Sequence, residues 1–151
     1  MQNLPETNRK RVLVVDDDKD SIELLVTRLS IAGYDVSHAR NGAEALERLR
    51  LSRPTAVILD INMPGMDGMD VLQWMQRTPV FATIPVMMLT ASHANEDLKL
   101  AMRLGARDYM LKPFRDDVLL SRVARLFRRR PPGSSSGQGG GAGEAADDLL
   151  I

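Results

Sequence analysis

Residues 12–18 read VLVVDDD, a short apolar run that stops abruptly at three acids. β-Branched residues favour strands, and an unbroken apolar run of this length is typical of a strand that is buried on both faces. Strands of this kind belong to parallel sheets with helices on either side. The stretch therefore predicts the first strand of a parallel sheet, with Asp16 and Asp17 at its carboxyl end.

The same pattern recurs three times further along the chain. Each later apolar run also stops at a polar side chain. The runs are Ala56–Leu59 before Asp60, Pro85–Leu89 before Thr90, and Tyr109–Leu111 before Lys112. Residues 34–39 alternate between apolar and polar side chains instead, which predicts an exposed strand at a sheet edge. The sequence thus contains five candidate strands.

Apolar residues at helical spacing separate these strands. Gly33 and Gly105 provide stops after the first and fourth of the predicted helices. Parallel neighbours need right-handed crossovers, and helices supply them. We therefore predict an α/β fold, a doubly wound sheet of five parallel strands with helices on both faces.

Composition excludes several classes of protein. The 151 residues carry 20 Lys and Arg against 20 Asp and Glu, so no bulk charge favours nucleic acid or an anionic membrane. There is no cysteine, which excludes disulfides and thiolate chemistry. No apolar run approaches the roughly 20 residues that span a bilayer. We expect a cytoplasmic chain.

The ends of the chain differ from its centre. Six of the 11 glycines follow Arg130, together with Pro131 and Pro132. Such composition is typical of a flexible segment. We expect a disordered lead at residues 1–9, one domain at 10–130, and a flexible tail at 131–151.

The polar residues at the strand ends indicate a site. Ligands of doubly wound sheets bind outside the carboxyl ends of the strands, where this sequence places Asp16, Asp17, Asp60, Thr90 and Lys112. Any one of these side chains could simply end a strand at the surface. Four strands that deliver polar groups to one edge are more specific.

The residue types at this edge predict metal and phosphate together. Crowded carboxylates repel one another unless a cation compensates their charge. Oxygen ligands without His or Cys favour Mg²⁺, which leaves coordination positions for phosphoryl oxygens. Lys112 can then contact a phosphoryl oxygen as a point charge, and the Thr90 hydroxyl can donate to another. Asp60 is the candidate nucleophile.

Taken together, these motifs resemble the receiver domains of response regulators, the CheY-like proteins of two-component and phosphorelay signalling. The similar segments are VVDD at 14–17, Asp60 followed by MPGMDG at 63–68, Thr90-Ala91, and KPF at 112–114. The resemblance covers residues 11–130. It implies the flavodoxin-like strand order 2-1-3-4-5.

The resemblance also implies chemistry at specific positions. Asp17, Asp60 and the backbone carbonyl of Asn62 would bind Mg²⁺, with Asp16 assisting. Asp60 would accept a phosphoryl group from a phosphohistidine on a sensor histidine kinase or a histidine phosphotransfer protein. Such a chain is not a turnover enzyme, although it catalyses its own phosphorylation and dephosphorylation. Asn62 and Ser92 border the route of an attacking water and would tune the lifetime of the phosphoryl group.

The family further implies how a signal leaves the domain. Thr90 and Tyr109 would move on phosphorylation and change the face formed by the fourth helix, fifth strand and fifth helix. That face would control a downstream protein of unknown identity, or form a homodimer; direct nucleic-acid or membrane binding is not expected. Asp108 and Arg122 resemble a dimer salt-bridge pair, although exposed charges are more often simply solvated. Lys112-Pro113 resembles the family's cis peptide.

Three other functions are compatible with parts of the pattern. A receiver-like interaction module would need no phosphoryl transfer, yet the polar residues of the site are all present. A Mg²⁺-dependent phosphatase with Asp16 as nucleophile would leave Asp60 and Thr90 without a role. A flavin-binding module would need small, phosphate-cradling residues where the chain has Asp16 and Asp17.

Overall fold

The computed structural model describes residues 9–91 and 95–128, and within them five strands alternate with five helices. The strands are β1 (Arg11–Val15), β2 (Asp35–Ala39), β3 (Ala56–Asp60), β4 (Val86–Thr90) and β5 (Asp108–Leu111). The helices are α1 (Lys19–Ile31), α2 (Gly42–Ser52), α3 (Gly68–Arg77), α4 (Asn95–Arg103) and α5 (Asp116–Leu126). The predicted tail, and all of the predicted lead except Arg9, lie outside the described residues.

The strands form one parallel sheet in the order β2-β1-β3-β4-β5. This order confirms the predicted topology, including the place of β2 at an edge. Val15 of β1 pairs with Leu59 of β3, so the ends of these two central strands are neighbours. The carboxyl ends of all five strands therefore open on the same edge.

Helices cover both faces of the sheet. Leu13 and Val15 belong to the core beneath α2, α3 and α4, whereas Val12 and Val14 belong to the core beneath α1 and α5. Because alternate residues of β1 are buried on opposite faces, the strand is apolar from Val12 to Val15. In the part of the chain that the structure describes, no helix has the length and apolar character that a membrane span requires.

Acidic side chains start several of the helices at the same edge. Asp18 caps α1 by accepting from the Ser21 amide at 3.3 Å. Asp67 and Asp70 form a reciprocal capping box at the start of α3. These carboxylates satisfy amide groups that a helix start leaves unpaired and complement its positive dipole end. Capping thus adds acids around the predicted site.

The backbone of α3 starts in direct contact with the backbone of Asp60. The Gly68 amide donates to the Ile61 carbonyl at 3.0 Å, which closes the loop after β3. A Cβ atom on Gly68 would lie 2.1 Å from the Asp60 carbonyl oxygen. Only glycine permits this approach, because neither backbone can move aside by changing a rotamer.

We predict that Gly68→Ala lowers the free energy of unfolding by about 2 kcal/mol, as overpacking against a fixed neighbour does. Gly33→Ala is the matched control. Gly33 has φ +102° but open space around its Cβ position, so this change should cost only about 1 kcal/mol of backbone strain. Urea unfolding of both variants measures the difference. A Gly68→Ala variant as stable as the wild type would contradict the close approach.

Candidate functional site

Three carboxylates meet at the carboxyl edge of the sheet. Asp16 and Asp17 follow β1, Asp60 ends β3, and one oxygen from each lies within 4.8 Å of the others. Their proximity follows from the register that makes β1 and β3 neighbours. The structure therefore brings together the three acids that the sequence predicted.

Asp16 is held in a fixed position. Its carboxyl group is buried, and Oδ1 accepts from the Asp18 amide at 2.9 Å. The Lys112 Nζ lies 2.8 Å from Oδ2, at an angle outside the hydrogen-bonding range. The Asp16 amide donates to the Ala39 carbonyl of β2 at 3.1 Å. Backbone and ion-pair contacts together prevent this side chain from turning toward solvent.

Asp60 lies beside the same lysine. Its residue is 4% exposed, Oδ1 accepts from the Asn62 amide at 3.1 Å, and Oδ2 is 3.5 Å from Lys112 Nζ. Lys112 follows β5 and precedes a cis peptide bond to Pro113, as the family resemblance implied. One ammonium group thus contacts two buried carboxylates that belong to different strands.

Burial and charge shift the ionisation of both partners. Burial first and the neighbouring Asp16 second raise the pKa of Asp60 to about 7, although Lys112 and the Asn62 amide act in the opposite direction. Burial alone would lower the pKa of Lys112, but contact with Asp16 and the charge of Asp60 raise it above its ordinary value. Lys112 is therefore cationic at neutral pH, and its single charge does not neutralise the acids.

The donor set fits a hard divalent cation. Three carboxylates supply oxygen atoms at close range, and the described part of the site contributes no His or Cys. Burial and the neighbouring Asp16 raise the pKa of Asp60, and a bound cation would oppose both effects by favouring the carboxylate. The structure gives the Asn62 amide a partner, but the predicted role of its carbonyl as a ligand stays a prediction.

Comparison with known proteins agrees with this geometry. The family profile of the response regulator receiver domain matches residues 12–124. The chain belongs to this family. MtrA, a DNA-binding response regulator of Mycobacterium tuberculosis, is 39% identical over 124 residues, which cover 82% of this chain and 53% of MtrA. The probable transcriptional regulator ycf27 of Cyanophora paradoxa is 42% identical over 124 residues, 82% of this chain and 51% of ycf27. This receiver spans about half the length of these relatives.

Solved receiver structures have the same fold. The chemotaxis protein CheY4 of Vibrio cholerae superposes with a TM-score of 0.76 at 30% identity, covering 79% of this chain and 99% of CheY4. The signal receiver domain of a histidine kinase from Syntrophus aciditrophicus gives 0.73 at 37% identity, covering 82% and 96%. The near-complete coverage of both neighbours shows that this chain contains nearly the whole of each solved fold.

The predicted switch residues of the receiver lie on adjacent strands. Thr90 is buried at the end of β4, and its carbonyl accepts from the Lys112 amide at 2.8 Å. Tyr109 on β5 is partly buried and packs against the core beneath α2, α3 and α4. Thr90 therefore lies at the acidic edge, and Tyr109 lies on a strand of the predicted output face. Their movement stays a prediction, and Ser92 lies outside the described residues.

Asp108, on the predicted output face, is not simply solvated, so that expectation was wrong. It is 7% exposed, and its Oδ1 accepts from Arg122 at 2.8 Å while Oδ2 lies 3.4 Å from Arg125. The Tyr109 amide donates to the same Oδ1 at 2.8 Å. The position of Asp108 at the start of β5, beneath α5, buries it and requires these partners.

Sequence reasoning overlooked Arg40. This residue follows β2, and its Nη2 donates to the Asp17 carbonyl at 3.3 Å, while its amide donates to Glu44 Oε1 at 2.8 Å. Arg40 thereby supports the acidic loop from the side of β2. Its place directly after a strand was the available signal, since the ends of all parallel strands share one edge.

The pKa of Asp60 predicts a pH-dependent difference between the metal-free wild type and Asp60→Asn. The folded pKa of Asp60, about 7, exceeds its ordinary value of 3.8, so ionisation of Asp60 destabilises the fold as pH rises through this interval. The variant should gain at least about 1 kcal/mol of relative stability between pH 4 and pH 8. Chemical unfolding in EDTA across this range measures the difference.

Asp20→Asn controls for loss of a negative charge, because Asp20 is exposed in the first turn of α1. It should not reproduce the rise seen with Asp60→Asn. A relative stability of Asp60→Asn that falls as pH rises would contradict the sign of the shift.

The burial of Asp108 predicts that Arg122→Ala destabilises the receiver by about 2 kcal/mol, because a buried carboxylate loses its shorter charged hydrogen bond. Arg115→Ala is the control. The Arg115–Asp117 pair is equally short at 2.7 Å, but its side chains are 79% and 66% exposed, so its loss should cost less than about 1 kcal/mol. Thermal and urea unfolding compare the two. Equal losses would show that burial of Asp108 has no energetic consequence.

Proposed function

We propose that Asp60 accepts a phosphoryl group from a phosphohistidine of a sensor histidine kinase or a histidine phosphotransfer protein. The observation that carries this proposal is the contact of one cation, Lys112, with two carboxylates at the ends of β1 and β3. Membership of the receiver family supports the same reading. The acceptor must ionise to act, and a cation near it favours ionisation.

In this proposal, an oxygen of the Asp60 carboxylate attacks phosphorus as the bond from phosphorus to the histidine nitrogen breaks. Lys112 offers an ammonium group to one phosphoryl oxygen, and the Thr90 hydroxyl donates to another. Once Lys112 and a bound cation favour the ionised form of Asp60, the nucleophile is an anion and no general base is needed. Catalysis by these side chains consists of positioning and charge stabilisation.

Asp17, Asp60 and the Asn62 carbonyl would hold Mg²⁺, with Asp16 in support. When bound, the ion would neutralise the crowded carboxylates and the phosphoryl oxygens. Asp16 is engaged by the Asp18 amide and Lys112, which suits a supporting role. Arg40 would orient the Asp17 backbone from behind.

The same contacts disfavour the competing functions. A phosphatase with Asp16 as nucleophile would have to free a carboxylate that is fully buried and bound at both oxygens. A flavin phosphate would meet three carboxylates within 4.8 Å of one another and be repelled. A receiver-like module without phosphoryl transfer would not need Lys112 directed at Asp60.

For output, we propose that Thr90 and Tyr109 transmit the change to the face of α4, β5 and α5. This face would control a downstream protein, or pair with a second copy. Asp108 already binds Arg122 and Arg125 of its own chain, so a dimer that uses Asp108 would exchange these contacts. We assign residues 10–130 to the receiver, residues 131–151 to a separate tail, and the whole chain to the cytoplasm.

The decisive experiment is intact-mass analysis after incubation with acetyl phosphate and Mg²⁺. The wild type should gain one phosphoryl group, while Asp60→Asn, or wild type in EDTA, should gain none. Lys112→Ala should slow phosphorylation on the order of 100-fold, as loss of one preorganised charge does.

Lys99→Ala is the matched control, because Lys99 is exposed on α4. It should leave the rate unchanged. A phosphoryl group on Asp60→Asn would overturn the assignment of the acceptor, and undiminished phosphorylation of Lys112→Ala would overturn the role of the lysine. Calorimetric titration of Mg²⁺ into Asp17→Asn separately tests the ion site, where weaker binding is expected.

A further inference from the structure

The edge of the sheet opposite the acceptor carries cations beside exposed apolar surface. Lys10 Nζ lies 5.2 Å above the ring of Phe127, which stacks on Tyr34 with ring centroids 5.5 Å apart. Ile31, three residues before Tyr34, is 77% exposed. With the exposed neighbours of Lys10 and Phe127, these residues form the amino-edge patch: Arg9, Lys10, Ile31, Tyr34, Phe127 and Arg128. The exposed Asp35, whose amide donates to the Lys10 carbonyl at 2.9 Å, sets one carboxylate against the three cations of the patch.

Formal charge is unevenly distributed along the chain. All 20 Lys and Arg lie between residues 9 and 130, but only 16 of the 20 acids do. The acids after residue 130 are Glu144, Asp147 and Asp148, and no Lys or Arg accompanies them. The zero net charge therefore combines a basic domain with an acidic tail.

The fold separates charge in space as well. Each of the five helices has an arginine in its last turn, whereas acids cluster at the strand ends around Asp60. Arginines in these positions complement helix dipoles, which explains part of the polarity. That reason does not apply to Arg9 and Lys10, which precede a strand. An acidic segment is thus repelled by the acceptor edge and attracted to the amino-edge patch.

We propose that the acidic C-terminal segment, Glu144–Ile151, docks on the amino-edge patch of its own chain. The segment lies outside the described residues and reads EAADDLLI. Its carboxylates match Lys10 and the neighbouring arginines, and its final Leu-Leu-Ile matches Ile31 and the two rings. The acceptor site remains uncovered, because the patch is at the other end of the strands.

Because the acidic segment belongs to the same chain as the patch, a weak contact is sufficient for docking. An exposed ion pair contributes less than about 1 kcal/mol, so the segment would not bind tightly as a free peptide. In the sequence, residues 131–143 are rich in Gly, Ser and Pro and connect Arg130 to the acidic segment. Arg128, two residues before Arg130, belongs to the patch. A linker of this length spans roughly 20 Å and gives an effective concentration in the millimolar range. Docking is then intramolecular and sensitive to salt.

The absence of cysteine allows a direct test in the full-length chain. A nitroxide spin label on Ala145→Cys should selectively reduce the amide signals of Ile31, Tyr34 and Phe127 in NMR spectra. Signals of Gly65 and Asp67, at the acidic edge, should be spared. High salt, or the combined changes Glu144→Gln, Asp147→Asn and Asp148→Asn, should restore the lost intensity. No phosphoryl donor is present, so the result is independent of the proposed phosphorylation.

Variants of the surface test the patch itself. The double change Lys10→Gln with Ile31→Ser should abolish most of the selective reduction of amide signals by the spin label. The control combines Lys99→Gln with Val80→Ser. It replaces an exposed lysine and an aliphatic side chain that is 61% exposed, both outside the patch, and should retain the selective loss of amide signal. Well-dispersed spectra would verify folding of each variant.

Three outcomes would overturn the proposal. The first is uniform or absent broadening in the labelled wild type, and the second is unchanged broadening after the tail acids are neutralised. The third is broadening that arises only between labelled and unlabelled chains in a mixture, which would assign the patch to a second copy. If the labelled tail does not broaden the patch amides, a DNA duplex can be added instead. A shift of the patch amide signals on its addition would assign the patch to nucleic acid.

Discussion

Electrostatic repulsion among three carboxylates is the constraint on which the arrangement of this receiver depends. The sheet order makes β1 and β3 neighbours, so Asp16, Asp17 and Asp60 meet at one edge, where Asp16 and Asp60 are buried. Lys112 supplies one positive charge inside the protein, but burial and Asp16 outweigh it and keep the pKa of Asp60 raised. The unsatisfied requirement for positive charge explains why such a site suits a cation and a phosphoryl group together.

Much of this arrangement was predictable from the sequence because it follows from strand geometry. Apolar runs that stop at Asp16, Asp60, Thr90 or Lys112 indicate buried parallel strands, and the carboxyl ends of such strands meet at one edge. The edge position of β2 was similarly visible in its alternating pattern. The pattern of apolar and polar residues in the strands therefore predicted both the fold and the residues that form the site.

The remaining features depend on tertiary contacts that local pattern does not encode. Asp108 has the composition of a surface residue, yet the packing of α5 over β5 buries it and surrounds it with Arg122 and Arg125. Arg40 reaches the site only because β2 lies beside β1. The close approach of Gly68 to the backbone of Asp60 likewise depends on the path of the chain after Asp60. Residue propensities do not predict that path.

The loop that follows Asp60 has a further evolutionary consequence. Its two ends are joined by the hydrogen bond from Gly68 to Ile61, and the contact of Gly68 with Asp60 leaves no slack between them. The number of residues between Asp60 and the start of α3 is therefore constrained. Insertions and deletions should be tolerated only where the loop bulges away from the sheet, near Gly65 with its positive φ of 74°. Away from the turn at Gly65, divergence of this segment should thus be confined to substitution.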